Sequence, residues 1–480
     1  MWHARATWLA IAAAALAFRL PYLRERPMHA DEAVLADKFG SLLETGSYPY
    51  DPHEFHGPAL AWLTLIPARI MGQRRYGDLT ETTLRMAPAL CGALLVMLPL
   101  LVSGGLGRRG AMAAAALTAI SPAMVYYSRY YIPEMLLTTL AFLTIACGYR
   151  YACSGAGAWA VAAGASAGLM FAAKETAAIA AACMLVAVAA TARPKAAKLW
   201  QCALGAGVAV AIPLVTFGFA NCWSAATSYA QRALHPAVHL HPWYYYPTLL
   251  GAEILVPILA LLAIVGKPDA DARLPRFLAV YACAMALVYS LIPYKTPWCL
   301  LGPLHAMILL AGVAAASLLE SLRGRARMVA GLLLAAWAAQ LGYQAWRASF
   351  PWSSDPRNPY AYAHTTRDVY AIRDAMIRVA AGRPGGFDAP VQVIGAGNMW
   401  PLPWYLRSFP HVEWWRLPGA GYRPADMILV TPDMEPALAH ELYEVPPPGS
   451  RELYLSLFDR IIELRPGVEL RGYVRASVAK

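Results

Sequence analysis

Long apolar runs separated by short polar connections dominate the chain up to about residue 347. A hydrocarbon core about 30 Å thick requires roughly 20 apolar residues per helix. By that ruler, runs near residues 7–20, 84–101, 111–127, 135–149, 158–173 and 177–192 predict membrane helices. Runs near 199–220, 248–265, 277–292, 298–319 and 328–345 continue the series, about eleven spans in all. The first run is short and alanine-rich and carries the Ala-x-Ala pattern of a cleaved signal peptide. Because further spans follow it, an uncleaved first helix is the preferred reading.

Beyond about residue 350 the pattern becomes that of a soluble fold. Residues 366–381 place Val369, Ile372, Met376, Ile377 and Val379 at helical spacing among Arg and Asp. VQVIGAG (391–397) and DMILVTPD (426–433) read as buried strands ending at turns. A helix over 401–407 and a strand over 412–417 fit between them. Strands alternating with helices predict a small α/β domain. The fold class is therefore a polytopic α-helical membrane protein with a C-terminal soluble α/β domain. The expected division is a transmembrane part over 1–347, with a first outer loop over 24–83, and an extracytoplasmic part over 348–480.

Charge orients this series. The 480 residues are 59% hydrophobic and only 14% charged, yet the net charge is +11. A basic excess in such a chain points to cytoplasmic loops rather than to nucleic acid. Alternate connections carry Arg108-Arg109, Arg150, Arg193 with Lys195 and Lys198, Lys267 with Arg273 and Arg276, and Arg323, Arg325 and Arg327. This series places the amino terminus in the cytoplasm and the α/β part outside a cell (inner or plasma) membrane. The eight cysteines are scattered, without CxxC or metal-type spacing. Of these, Cys222 and Cys299 lie near the outer surface, where a disulfide could form.

The outer connections hold the candidate chemistry. The stretch 28–58 carries Asp31, Glu32, His53, Glu54 and His56. Adjacent carboxylates at a membrane surface suit a general base or a divalent cation. Acids in the first turn of a helix over 30–43 explain Asp31 and Glu32 equally well. Arg129 and Glu134 flank Ile132-Pro133, either as a loop ion pair or as a phosphate ligand and a second acid. The tyrosines around them, Tyr131 included, suit an interfacial belt or sugar and prenyl contacts. Lys174 and Lys295 adjoin apolar helices, where lysine either snorkels or binds phosphate as a point charge. HPAVHLHPWYYYP (235–247) lacks a ligating acid or thiol, so His241 and Trp243 read as substrate contacts rather than zinc ligands. GAGN (395–398) lacks the third glycine of a dinucleotide loop, because Trp400 stands in its place. Glu253, just inside a predicted span, has no evident partner.

HADEAVLADKFG, FHGP, SRYYIPE (128–134), AKET, IPYKTPW and WPLPWYLR (400–407) together resemble the membrane-embedded GT-C glycosyltransferases. The resemblance is to the family 39-like group of protein O-mannosyltransferases and aminoarabinose transferases. Within it, the chain is most similar to a prokaryotic subgroup labelled flippase-activity-associated proteins. The resemblance implies a glycosyltransferase of the cell envelope that takes its sugar from a polyprenyl-phosphate donor on the outer face. The acceptor would be a lipid, glycan or protein. Asp31 would serve as catalytic base or acceptor-orienting carboxylate, and Glu32 would assist it or help hold a divalent cation. Glu134 stands where the family often has Asp. Arg129, Lys174 and Lys295 would bind the donor phosphate, and His53, His56, Tyr131, His241, Trp243 and Trp298 the substrates. A flippase, or a flippase-associated protein without transfer activity, is the alternative; it would require ionisable groups at the bilayer midplane.

Overall fold

The computed structural model describes residues 2–54, 56–191, 198–235, 238–265, 273–382, 385–419 and 421–478. Arg193, Lys195 and Lys267 of the basic series lie outside them. In chain order the helices are α1 (Trp2–Arg19), α2 (Ala30–Thr45), α3 (Ala59–Ile70), α4 (Glu81–Met97), α5 (Ser103–Leu106), α6 (Arg108–Ile120) and α7 (Pro122–Ser128). Next come α8 (Glu134–Ser154), α9 (Gly157–Ala173), α10 (Ala177–Thr191), α11 (Leu199–Leu234), α12 (Tyr245–Leu249) and α13 (Leu255–Val265). α14 (Arg273–Leu291), α15 (Leu301–Ser321), α16 (Gly324–Ser349), α17 (Asp368–Ala381), α18 (Leu402–Tyr405) and α19 (Glu435–Tyr443) complete the set.

Among the described residues, six helical stretches are long and apolar enough to cross a membrane on their own. The 59° bent pair of α6 and α7 could make a seventh. The other expected spans fall on shorter helices or on α1, so their number differs from a simple hydropathy reading. Pro122 explains the bend, since it supplies no N–H to the preceding turn. The helix at 248–265 begins only at Leu255, after a 3-10 turn over Gly251–Glu253. That turn accounts for Glu253. Its oxygens accept from Ser121 Oγ (2.6 Å), the Ala123 amide (2.9 Å) and Tyr360 Oη (3.2 Å). The carboxylate therefore caps the first turn of α7, where unsatisfied N–H groups attract negative charge.

α11 is broken at Gly218, whose φ of 75° and ψ of 162° are not helical. Its first half packs on α9 through small residues. A Cβ on Gly164 would lie 2.0 Å from the Gly205 carbonyl oxygen. Gly164→Ala is accordingly expected to push α9 from α11 and to cost about 1–3 kcal/mol. A lowered thermal midpoint of the purified chain in detergent would show it.

The C-terminal part follows the expected alternation. Strands β1 (Val391–Ile394), β2 (Val412–Trp415) and β3 (Met427–Val430) run parallel, and β6 (Val468–Arg475) pairs antiparallel with β3. β4 (Tyr454–Ser456) adds to β6, and β5 (Ile462–Arg465) pairs with β6 as well. The spatial order is β2-β1-β3-β6-β4. α19 and the antiparallel extension go beyond the sequence reading.

The sheet does not hang from the bundle as a separate body. One buried apolar cluster runs from Met28 and Phe39 through the helices to Trp404, Leu429 and Val474. Trp404 is fully buried and donates its indole N–H to Glu81 at 2.9 Å. The backbone just before α2 is held from the sheet side. Met28 N–H donates to Tyr405 Oη (2.9 Å), Thr365 Oγ1 donates to Met28 O (2.7 Å), and Tyr370 Oη donates to Glu25 O (3.1 Å).

Candidate active site

α2 starts with a capping box. His29 Nδ1 accepts from the Asp31 amide at 3.1 Å, and Glu32 Oε2 accepts from the His29 amide at 2.9 Å. Successive side chains on a helix diverge by about 100°, so the two adjacent acids separate. The Asp31 side chain is 54% exposed, whereas that of Glu32 is fully buried. Five donors converge on Glu32: Arg85 Nε (2.8 Å) and Nη2 (2.7 Å), Arg26 Nη2 (3.1 Å), and the amides of His29 (2.9 Å) and Tyr131 (2.8 Å). Burial pushes its carboxyl up, but the two guanidinium groups and these hydrogen bonds outweigh it and hold it at about 2.

This corrects the expectation for Glu32. Its oxygens are consumed by structural donors, so it presents no lone pair to a substrate. Together with Asp31 it forms no two-carboxylate cation site. Among the described residues no cluster of three or more His, Cys, Asp and Glu is placed to hold a metal ion. Arg85→Ala would leave the Glu32 charge buried and partly unpaired and is expected to cost about 3–5 kcal/mol. The pH sign follows from a depressed carboxyl. The stabilisation is fully present above its ordinary value of 4.5 and is lost as pH falls towards about 2. Thermal melts between those limits should show a loss in the parent that Glu32→Gln lacks.

A cavity of about 420 Å³ opens beside α2. Asp31, Val34, Leu35 and Lys38 form one helical face of its wall. Glu54 and His56 of the first outer loop lie at the next wall, with Tyr229 and Arg232 from the second half of α11. Glu134, Lys174, Glu175 and Cys299 also line it, as do Trp298, Asn398 and Trp400. Glu134 opens α8, and Lys174 caps the end of α9. Their side chains form a buried ion pair through Glu134 Oε1, while Glu134 Oε2 is buried without a hydrogen-bond partner among the described residues. Glu175 accepts from His56 Nδ1 at 2.9 Å and lies 3.5 Å from Arg232 Nη2. Burial raises its carboxyl, but His56 and Lys174 more than reverse this and hold it at about 2.

Of the candidate site residues singled out from the sequence, Asp31, Glu54, His56, Glu134, Lys174 and Trp298 thus meet in one cavity. The others do not line it. Arg129 turns to the end of α1 and donates to the carbonyls of Phe18 (3.4 Å), Arg19 (3.0 Å) and Tyr22 (3.2 Å). Orphan carbonyls at a helix C-terminus attract a cation. Lys295 lies in an extended segment next to the Leu240–Tyr294 bridge. Alternation there sends Tyr294 and Thr296 to the cavity and Lys295 away from it. Its ammonium donates to the carbonyls of Ile292 and His241. Tyr131 is buried in the core, and His53 bonds Ser228 Oγ at 2.8 Å. His241 stacks on Tyr245 at 4.1 Å and lies 3.3 Å from Tyr362 Oη, and Trp243 is 70% exposed. All eight cysteines are free, so Cys222 and Cys299 are not paired.

Lys38, Glu175, Arg232, Asn398 and Trp400 were missed as site residues. Glu175 stood next to Lys174 within AKET, and that adjacency was the available signal. Asn398 and Trp400 occupy the loop after β1, the edge where open α/β sheets place ligands.

The sequence model of the family described as dolichyl-phosphate-mannose-protein mannosyltransferase matches residues 55–217. No curated protein matches the sequence. The architecture is similar to that of ArnT from Cupriavidus metallidurans bound to undecaprenyl phosphate. That similarity has a TM-score of 0.67 and 16% identity over 98% of both chains. The chain has the GT-C fold. The Archaeoglobus fulgidus oligosaccharyltransferase shares it, with a TM-score of 0.60 and 13% identity over 86% of this chain and 64% of that one. The mycobacterial arabinofuranosyltransferase AftD aligns over 98% of this chain and 40% of its own length, with a TM-score of 0.53 and 16% identity. In this chain the GT-C fold gathers the first half of α2, the start of α8, the end of α9, the 3-10 turn before α15 and the second half of α11 around the cavity.

Proposed function

We propose that this chain is an integral-membrane glycosyltransferase that moves a sugar from a polyprenyl-phosphate donor to an acceptor on the extracytoplasmic face. The observation that carries this reading is one cavity with an exposed carboxylate, Asp31, at its wall and a buried Lys174–Glu134 pair within it. The family match, the GT-C fold and the undecaprenyl phosphate bound to ArnT support it. The basic connections support a cytoplasmic amino terminus, with the sheet on the opposite side.

In this reading Lys174 holds the donor phosphate, with Arg232 and Lys38 adding positive charge along the walls. The free oxygen of Glu134 accepts from a sugar hydroxyl, and Trp298 supplies an apolar face. Asp31 takes the acceptor O–H proton as that oxygen bonds to the anomeric carbon. The bond from that carbon to the phosphate oxygen breaks, and the polyprenyl phosphate leaves with the electron pair. Stabilising charge on the leaving phosphate matters more than protonating it.

The test uses proteoliposomes loaded with a radiolabelled polyprenyl-phosphate sugar and an envelope glycolipid fraction. Label should become covalently attached to acceptor material. Label that crosses the bilayer without changing its covalent carrier would sink the proposal in favour of a flippase.

A further inference from the structure

A second pair of recesses lies on the other side of the Glu32–Arg85 pair. The lower one, about 470 Å³, lies where α1 and α16 end and is walled by Phe18, Pro21, Trp346, Phe350 and Pro351. The upper one, about 910 Å³, lies between the start of α4 and α17. Tyr22, Glu25 and Arg367 line both, so the apolar recess runs directly into the polar one. The aromatic residues at these helix ends suit the level of the bilayer interface.

The polar recess carries both signs. Its Arg373 is paired with Asp374 at 2.7 Å, and Arg407 is occupied by the carbonyls of Trp404 and Leu79. Arg24 is free for other partners: its side chain is 71% exposed and touches Glu81 only at 3.7 Å. Neither Arg367 nor Glu25 forms an ion pair within 4.0 Å among the described residues, and both are exposed. Arg367, the loosely held Arg24 and the exposed Glu25 carboxylate thus remain open to a ligand above an apolar recess. Guanidinium forks match phosphate, and a carboxylate matches an N–H-bearing cation.

We propose that these recesses bind one phospholipid whose headgroup carries both a phosphate and a primary ammonium. Its acyl chains lie along Phe18, Trp346 and Phe350, its phosphate meets Arg24 and Arg367, and its ammonium donates to Glu25. Phosphatidylcholine offers Glu25 no N–H donor, and phosphatidylglycerol offers it no cation. This lipid is not the sugar acceptor. Arg85 is fully buried and donates to the carbonyls of Leu23 and Arg26 and to Glu32, which closes the way to Asp31. The lipid instead wedges α17 of the sheet part against the end of α1.

Native mass spectrometry of the purified full chain, titrated with dioleoyl phosphatidylethanolamine, phosphatidylcholine or phosphatidylglycerol, tests this. The ethanolamine lipid is expected to be retained about fivefold more tightly than either other lipid. Glu25→Gln should abolish the preference over phosphatidylcholine, and Arg367→Gln should weaken all three. Both side chains are exposed, so the variants should keep the parental melting point. Equal retention of the three lipids by the parent, a preference for phosphatidylglycerol, or an ethanolamine preference that survives Glu25→Gln would overturn the proposal.

Discussion

Lys174→Ala is expected to cut sugar transfer from a polyprenyl-phosphate donor by about a hundredfold or more. Lys174 is the buried cation of the cavity and sits at the end of α9, with its ammonium against Glu134. Removing it takes away the charge proposed to meet the leaving phosphate. It also leaves the Glu134 carboxylate buried without a counter-ion, a loss of about 3–5 kcal/mol. A fall in activity could then reflect unfolding alone. The double variant Lys174→Ala with Glu134→Gln separates the two effects, because it removes the stranded charge and keeps an oxygen that can accept from the sugar hydroxyl. Its melting point should recover much of the loss while single-turnover transfer stays low. Transfer at the parental rate by the double variant would exclude Lys174 from the chemistry.

The second large effect concerns Asp31. Asp31→Asn keeps the shape of the side chain but cannot accept the acceptor's proton, so the transfer step should slow by about a hundred- to ten-thousandfold. The side chain is 54% exposed and lies 3.9 Å from His29 Nδ1, so the melting point should hardly change. Glu32→Gln should do the opposite, lowering stability through the Arg85 and Arg26 contacts. Lost stability with retained activity in Asp31→Asn would reverse the roles assigned to the two acids.

The architecture was legible where its causes are local. Apolar runs of helical length located the bundle, and the short buried runs VQVI and MILV located β1 and β3. Broken helices were harder to read. The bend at Pro122 and the late start at Leu255 depend on packing around Glu253, whose partners lie about 130 residues away. Within the site, His56, Glu134 and Lys174 share a cavity because each ends or flanks an apolar segment on one face. The division of labour between Asp31 and Glu32 needed the phase of α2 and the position of Arg85, 53 residues further on. Lys295 looked like a phosphate ligand by composition, yet strand alternation turns it away. Arg129 was claimed by the end of α1, a contact 110 residues distant. Arg232, Asn398 and Trp400 arrive by tertiary folding, which no local pattern announces.

The hydrogen bonds between Tyr405, Thr365 and Tyr370 and the backbone at Glu25 and Met28 bear on how proteins of this fold can be recombined. A chimera that exchanges only the sheet would bring new side chains to positions that hold the backbone before Asp31, the proposed catalytic carboxylate. Grafts intended to change acceptor choice should therefore carry residues 25–31 together with the sheet, as one inherited block. Divergence among relatives should follow the same seam, with substitutions in the loop before α2 compensating those around Tyr405.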